Sequence, residues 1–170
     1  MDDFNSNNLS VNLTWKNVIM YCRIDFIIER SFLMNFELKE NIIPCLKDLI
    51  DLYNDVGWTN YTNRADMLQK AYETSLLVIT AWYEDKLLGA IRIVGDGYSI
   101  IYIQDIVVLK AYQHMGIGTK LITQAMNKYK DVYQKVLLTD KEPKTKAFYE
   151  KMGFLNCDKY GCVSYVKYNI

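Results

Sequence analysis

Between Ser99 and Lys130 the chain changes its pattern twice within about thirty residues. Ser99-Ile-Ile-Tyr-Ile-Gln-Asp-Ile-Val-Val-Leu109 is rich in β-branched residues and has the length of a strand. Lys110-Ala-Tyr-Gln-His-Met-Gly-Ile-Gly118 is a short turn with two glycines. From Ile117 onward, Leu121, Ala125 and Tyr129 recur at helical spacing, with Ile122 and Met126 beside them, so the segment reads as an amphipathic helix. A strand, a glycine turn and a helix start gather several backbone N–H groups at one point. None of them has an intrahelical partner, and the helix dipole adds partial positive charge there. Such a point suits a pyrophosphate.

The other elements follow in order. Asn35 to Lys39 reads as a first strand. Pro44 suits a first helical turn, Leu46, Leu49, Ile50 and Tyr53 follow at helical spacing, and Gly57 is the stop. Thr62-Asn63 with Asp66 marks a second helix entry, and that helix should bury Met67, Leu68, Ala71 and Tyr72. Ser75–Tyr83 and Leu87–Val94 are strands joined by Glu84-Asp85-Lys86, and Gly95-Asp96-Gly97 turns into the strand Tyr98–Leu109. Tyr133–Thr139 is the next strand, Thr145–Met152 the next helix, and Val163–Tyr168 a closing strand. The order β-α-α-β-β-β-α-β-α-β predicts an α/β fold with a mixed sheet and helices on both faces.

Composition removes several classes of function. Twenty Lys and Arg balance twenty Asp and Glu, with no basic run, which disfavours a nucleic-acid partner. Cys22, Cys45, Cys157 and Cys162 lack metal-ligand spacing, and there is one histidine, so no metal site is expected. No disulfide framework is implied, and a reducing cytoplasm fits best. At 170 residues, 51% of them hydrophobic, one domain with a proper core is expected. Residues 34–170 hold it. Residues 1–33 are polar at first, then apolar but broken by Arg23, Asp25, Glu29 and Arg30, so neither a membrane span nor a signal peptide is expected. They are either an upstream extension or an added strand or helix.

Gln113-His114-Met115-Gly116-Ile117-Gly118 resembles the Arg/Gln-x-x-Gly-x-Gly/Ala loop of the GCN5-related N-acetyltransferase (GNAT) family. A second segment, Ala147-Phe-Tyr-Glu-Lys-Met-Gly-Phe154, is similar to that family's Ala-x-x-Phe-Tyr-Glu-Lys-x-Gly-Phe region. The resemblance covers the chain from about Asn35 to its end. It implies a mostly antiparallel mixed sheet whose central strands splay to admit acetyl-CoA, which passes its acetyl group to an amine.

The resemblance assigns roles residue by residue. The loop Gln113, His114, Met115, Gly116, Ile117, Gly118 and Thr119 would hold the pyrophosphate, with Gly116 and Gly118 allowing close approach for want of a Cβ. His114, in mid-loop, is expected to face solvent rather than to act as a base. The backbone of Ile106, Val107 and Val108 would pair with the pantetheine arm like an added strand. Tyr149 would lie near the sulfur, where a phenol with a pKa of about 10 can protonate a departing thiolate. Strand alternation puts Asp105 on the face of Ile101, Ile103 and Val107, and a carboxylate there needs a task or a partner. It either relays a proton from the amine or pairs with Arg92 or the backbone. Asp140 either approaches the substrate or shapes the turn before Pro143. The asparagine usual in the family before the last helix is replaced by Glu142-Pro143. Trp58 and Tyr61 either wall the acceptor site or anchor a loop, and this part loosely resembles small-amine acetyltransferases, including those acting on arylalkylamines.

The leading expectation is an acetyl-CoA-dependent N-acetyltransferase acting on the primary amine of a small molecule. A protein lysine or N-terminal acceptor is the runner-up, and a non-catalytic acyl-CoA-binding module the second class. A homodimer through the last strands is implied by analogy alone.

Overall fold

The structure is a computed structural model and describes residues 35–168. The N-terminal stretch, for which an extension or an added element is expected, lies outside the described residues. From Phe36 onward the chain forms one compact unit. No helix among the described residues is long and apolar enough to cross a membrane.

β1 (Glu37–Glu40) leads to α1 (Leu46–Val56), α2 (Thr59–Thr62) and α3 (Ala65–Glu73). Pro44 stands just ahead of the N-cap, Cys45, rather than inside the first turn. Gly57 ends α1 in the left-handed region, at φ 86°, and its N–H is taken by Asn54 O, so the expected stop is formed. α2 is a single turn with no periodic signal of its own. α3 buries Leu68 and Tyr72 completely, four residues apart on one face. Met67 is 41% exposed, against expectation: its neighbour Leu68 occupies the inward direction, which turns Met67 about 100° away. Ala71 is half-buried. These helices close over Leu49, Leu52, Tyr53, Leu68, Tyr72, Val78, Leu87, Ala90 and Val107. Truncating Leu52 or Leu68 to Ala there would cost about 2–5 kcal/mol.

The sheet has the order β1-β2-β3-β4-β5, with β2 (Leu77–Tyr83), β3 (Lys86–Gly95), β4 (Ile100–Val108) and β5 (Gln134–Leu137). All neighbours are antiparallel except β4 and β5, which the helix α4 (Ile117–Lys128) connects as a parallel crossover. α4 packs on β2, β3 and β4 and buries Ile117, Leu121, Ile122 and Ala125. The mixed sheet and its helical crossover agree with the sequence reading.

One residue in β4 changes which face its neighbours share. Arg92 pairs with Asp105, but Ile93 pairs with Ile103, so Gln104 is an extra residue, a β-bulge. Directly opposed residues share a face. Asp105 and Val107 therefore lie with Arg92 and Ala90 towards α1 and α3. Ile101 and Ile103 lie with Ile91 and Ile93 on the other face. The expected common face of Asp105, Ile101 and Ile103 is corrected by this bulge, since plain alternation takes no account of an inserted residue.

The helix α5 (Pro143–Lys151) follows β5, with Pro143 in its first turn. Val163–Tyr168 is not a strand, so the predicted closing strand is corrected. The segment has no regular structure, and Val163, Tyr165 and Tyr168 are 68%, 93% and 73% exposed. Val and Tyr favour a pleated, half-buried surface, and without a neighbouring strand to supply one their propensity forms no strand.

Candidate active site

Pairing between β4 and β5 ends at Ile103–Leu137. Beyond it, Gln104 to Val108 keeps β3 on one side and has no strand on the other among the described residues. The Val108 carbonyl points into this opening, because it accepts from Gln113 Nε2 at 3.1 Å rather than from β3. By the alternation of an antiparallel ladder, the backbone groups of Ile106 point the same way, and those of Val107 point to β3. Of the three expected strand residues, Ile106 and Val108 thus present backbone to the opening.

The loop after β4 is tied down at both ends. Asp55 Oδ2 of α1 accepts the Lys110 N–H at 2.6 Å, and Met115 is buried. His114 adopts φ 65° and is exposed, as expected of a loop residue facing solvent. Gly116 caps α4 at φ 80°, where an L side chain is strained. A Cβ on Gly116 would meet nothing within 4 Å, so the space over the helix start is open. The first bond of α4 runs from Lys120 N–H to Gly116 O, 2.9 Å. The N–H groups of Ile117, Gly118 and Thr119 therefore have no intrahelical acceptor, and no side chain caps them. Open space over unpaired donors and a positive helix end fits the diphosphate of a coenzyme A. A Cβ on Gly118 would stand 3.7 Å from Phe148 Cζ of α5 and 3.9 Å from Val108 Cγ2, ordinary contacts, so the start of α4 packs beside Phe148 with room for a small side chain.

Phe148 brings its neighbour Tyr149 with it. Tyr149 is 9% exposed and packed edge-on against Phe148 and Phe154, with centroids at 5.1 and 6.0 Å. Its hydroxyl makes no hydrogen bond with a described residue. Burial, then the charges of Asp140 and Asp105, push this phenol up to about 12. It therefore stays protonated at neutral pH, the state a proton donor needs, although as a weaker acid than a free phenol.

Asp105 is 2% exposed and accepts from Arg92 Nε at 2.6 Å. Of its two expected roles, the structure shows the pairing with Arg92. Burial works against the Arg92 charge, but the Asp105 carboxylate outweighs it and the guanidinium goes up. The second carboxylate oxygen, Oδ1, is buried without a hydrogen-bond partner among the described residues. Around this pair stand the rings of the helical side. Tyr53 and Tyr72 join hydroxyls at 3.1 Å, and Arg92 lies over the Tyr72 ring at 5.7 Å. Both phenols go up, chiefly through burial.

Trp58 and Tyr61 are half-buried and lean on Tyr53, with centroids at 5.7 and 5.2 Å. Tyr61 reaches β4, where its hydroxyl accepts from Gln104 Nε2 at 3.1 Å. Burial, then the Asp105 charge, raises it. The aromatic pair is thus both a loop anchor and a wall beside the bulge. Asp140 is exposed and accepts the Glu142 N–H at 3.1 Å, the turn-shaping alternative of its two readings. Gln104 and the Tyr53–Tyr72 pair have no sequence signal that singles them out: an amide in an apolar strand and two tyrosines at helical spacing read as ordinary packing. Among the described residues no group of three His, Cys, Asp or Glu is placed to hold a metal ion. A surface hollow of about 570 Å³, lined by Lys47, Asp48, Asp51, Glu84, Asp85 and Tyr112 among others, contains neither Tyr149 nor the helix start and is not this site.

Comparison with known proteins supports the same reading. Residues 43–154, more than half of the chain, match the acetyltransferase (GNAT) family. A ycf52-like N-acetyltransferase of Prochlorococcus marinus, itself uncharacterized, is 30% identical over 64% of this chain, and the match spans 62% of that relative's length. An acetyltransferase of the same family from Streptococcus pneumoniae superposes with a TM-score of 0.71 at 38% identity, over 79% of this chain and 98% of its own. An aminoglycoside acetyltransferase from a soil metagenome, solved with sisomicin, shares the fold at 24% identity, with a TM-score of 0.59 over 79% of this chain and 96% of its own. Matched to that family over more than half of its length, the chain belongs to the acetyltransferase (GNAT) family.

Proposed function

We propose that this N-acetyltransferase moves the acetyl group of acetyl-CoA to the primary amine of a small molecule by direct attack. One observation carries the reading. A Cβ on Gly118 would stand 3.7 Å from Phe148 Cζ and 3.9 Å from Val108 Cγ2, so the start of α4, the Phe148-Tyr149 segment and the unpaired end of β4 meet at one place. Acetyl-CoA supplies an activated thioester. The N–H groups of Ile117, Gly118 and Thr119 hold its diphosphate, and Ile106 and Val108 offer backbone pairing to its arm. Tyr149 donates its proton to the sulfur as the C–S bond breaks and the C–N bond forms, and the proton shed by the acetylated nitrogen returns through solvent to restore the phenol. The Asp105 carboxylate, held by Arg92, lies beside the phenols of Tyr61 and Tyr149 and disfavours their loss of a proton. The half-buried Trp58 and Tyr61 favour an acceptor small enough to lie against two rings.

A homodimer belongs to the same reading. β5 is an edge strand, and the exposed Val163, Tyr165 and Tyr168 could add to the edge of a second copy. The test of function is thiol release from acetyl-CoA with polyamines, arylalkylamines, amino sugars, aminoglycosides and lysine peptides. Release that requires a small amine is expected. Release with lysine peptides alone would overturn the small-molecule acceptor, and CoA binding without release on any amine would overturn the enzyme.

A further inference from the structure

Gln104 has a position that no other residue of β4 shares. It is the bulged residue, and it follows directly on Ile103, where β5 stops pairing. It therefore stands at the point where the two strands part, half-buried and open to the cleft. The bulge also turns its side chain towards Tyr61, whose hydroxyl takes Nε2 at 3.1 Å. A primary amide has one acceptor oxygen. With Nε2 committed to Tyr61, Oε1 is the atom left to receive a ligand, and no described residue donates to it. The next residue repeats the pattern. Asp105 Oδ1 is a buried acceptor with no donor among the described residues, and a group left so is costly unless something bound there satisfies it.

Two adjacent acceptors without donors, at the place where the attacking nitrogen has to arrive, call for a ligand rich in N–H. We propose that Gln104 Oε1 binds an N–H of the acceptor's primary amine and aims its lone pair at the thioester, making Gln104 an acceptor-binding residue. The inference rests on the acetyl-transfer reading. The Asp105 carboxylate attracts the incoming ammonium ion, one proton of which passes to solvent to leave the neutral amine that attacks, and Arg92 stops the carboxylate from swinging out to meet it. The Trp58 and Tyr61 rings, 6.1 Å apart and tilted by 30°, bound the same side. They suit a flat apolar group carried next to the amine on a short chain, the acceptor that the loose resemblance to arylalkylamine acetyltransferases implies, so the substrate class taken to the test is an arylalkyl primary amine.

The test uses 2-phenylethylamine, with spermidine for comparison, on the full chain and on Gln104→Met and Gln104→Glu. Methionine keeps the volume and removes the acceptor oxygen, while glutamate restores one. Gln104→Met should raise KM for 2-phenylethylamine about tenfold or more, as losing a hydrogen bond to a charged group does. KM for acetyl-CoA and the stabilisation by CoA should stay within about twofold, and Gln104→Glu should recover most of the amine KM. An unchanged amine KM in Gln104→Met overturns the inference. So does an equal rise in both KM values, because that marks a collapsed bulge rather than a lost contact. Wild-type turnover of spermidine but not of 2-phenylethylamine overturns the substrate class. A wild type inactive on every amine is a different result: it removes acetyl transfer itself, and this inference with it.

Discussion

The two sides of the cleft are built from different materials. The coenzyme side is made of backbone. It consists of three N–H groups at the start of α4, the carbonyl row of β4, and a glycine at φ 80° that leaves the space above them open. The proposed acceptor side is made of side chains, Gln104, Asp105, Arg92, Tyr61 and Trp58, of which Gln104 and Asp105 owe their facing to one inserted residue in β4. A backbone site tolerates any side chain that leaves its path alone. A side-chain site changes with each substitution. The first can stay constant while the second adapts to new acceptors.

Substitutions can break or sharpen that contrast. The largest effect is expected from Gly116→Asp, which puts a strained residue and a negative charge on the open helix start. CoA affinity should fall beyond detection in a thermal-shift titration while the fold persists, and ordinary CoA binding would refute the backbone site. Asp105→Asn comes next. It leaves Arg92 buried without its counter-charge, so urea unfolding should show a loss of about 3–5 kcal/mol. A loss below about 1 kcal/mol would mean that the pair is not what organises the acceptor side. Tyr149→Phe should lower kcat about 100-fold with CoA affinity nearly unchanged. Because burial raises the phenol from 10 to about 12, the wild-type kcat should not fall between pH 9 and 11 through loss of this proton. A fall centred near pH 10 would assign the donor role to a more exposed phenol. The smallest effect is expected from Gly118→Ala, whose methyl meets Phe148 and Val108 at ordinary distances. Both KM values should move less than about twofold, and a tenfold loss of CoA affinity would show that Gly118 acts in close approach after all.

The same contrast explains what could be read in advance. The coenzyme side was legible because its parts leave local marks: β-branched residues, then two glycines, then helical spacing from Ile117. Gly57 as a helix stop and the hairpins of β2, β3 and β4 were legible for the same reason. The acceptor side was not, because a bulge has no sequence mark of its own. Alternation placed Asp105 with Ile101 and Ile103, and only the pairing of Ile93 with Ile103 shows that Gln104 is in excess. The pairing of Asp105 with Arg92 could be framed as an alternative but not decided, since it depends on register across β3 and β4. Val163–Tyr168 misled in the opposite way, with strand composition and no described neighbour to pair with.

The most direct measurement is mass spectrometry of the amine after incubation with the full chain and acetyl-CoA, with thiol release followed in the same tube. The account predicts an amine heavier by one acetyl group, in amounts that match the thiol released. Thiol release with no acetylated amine would reveal hydrolysis in place of transfer and contradict the assignment of the acceptor side.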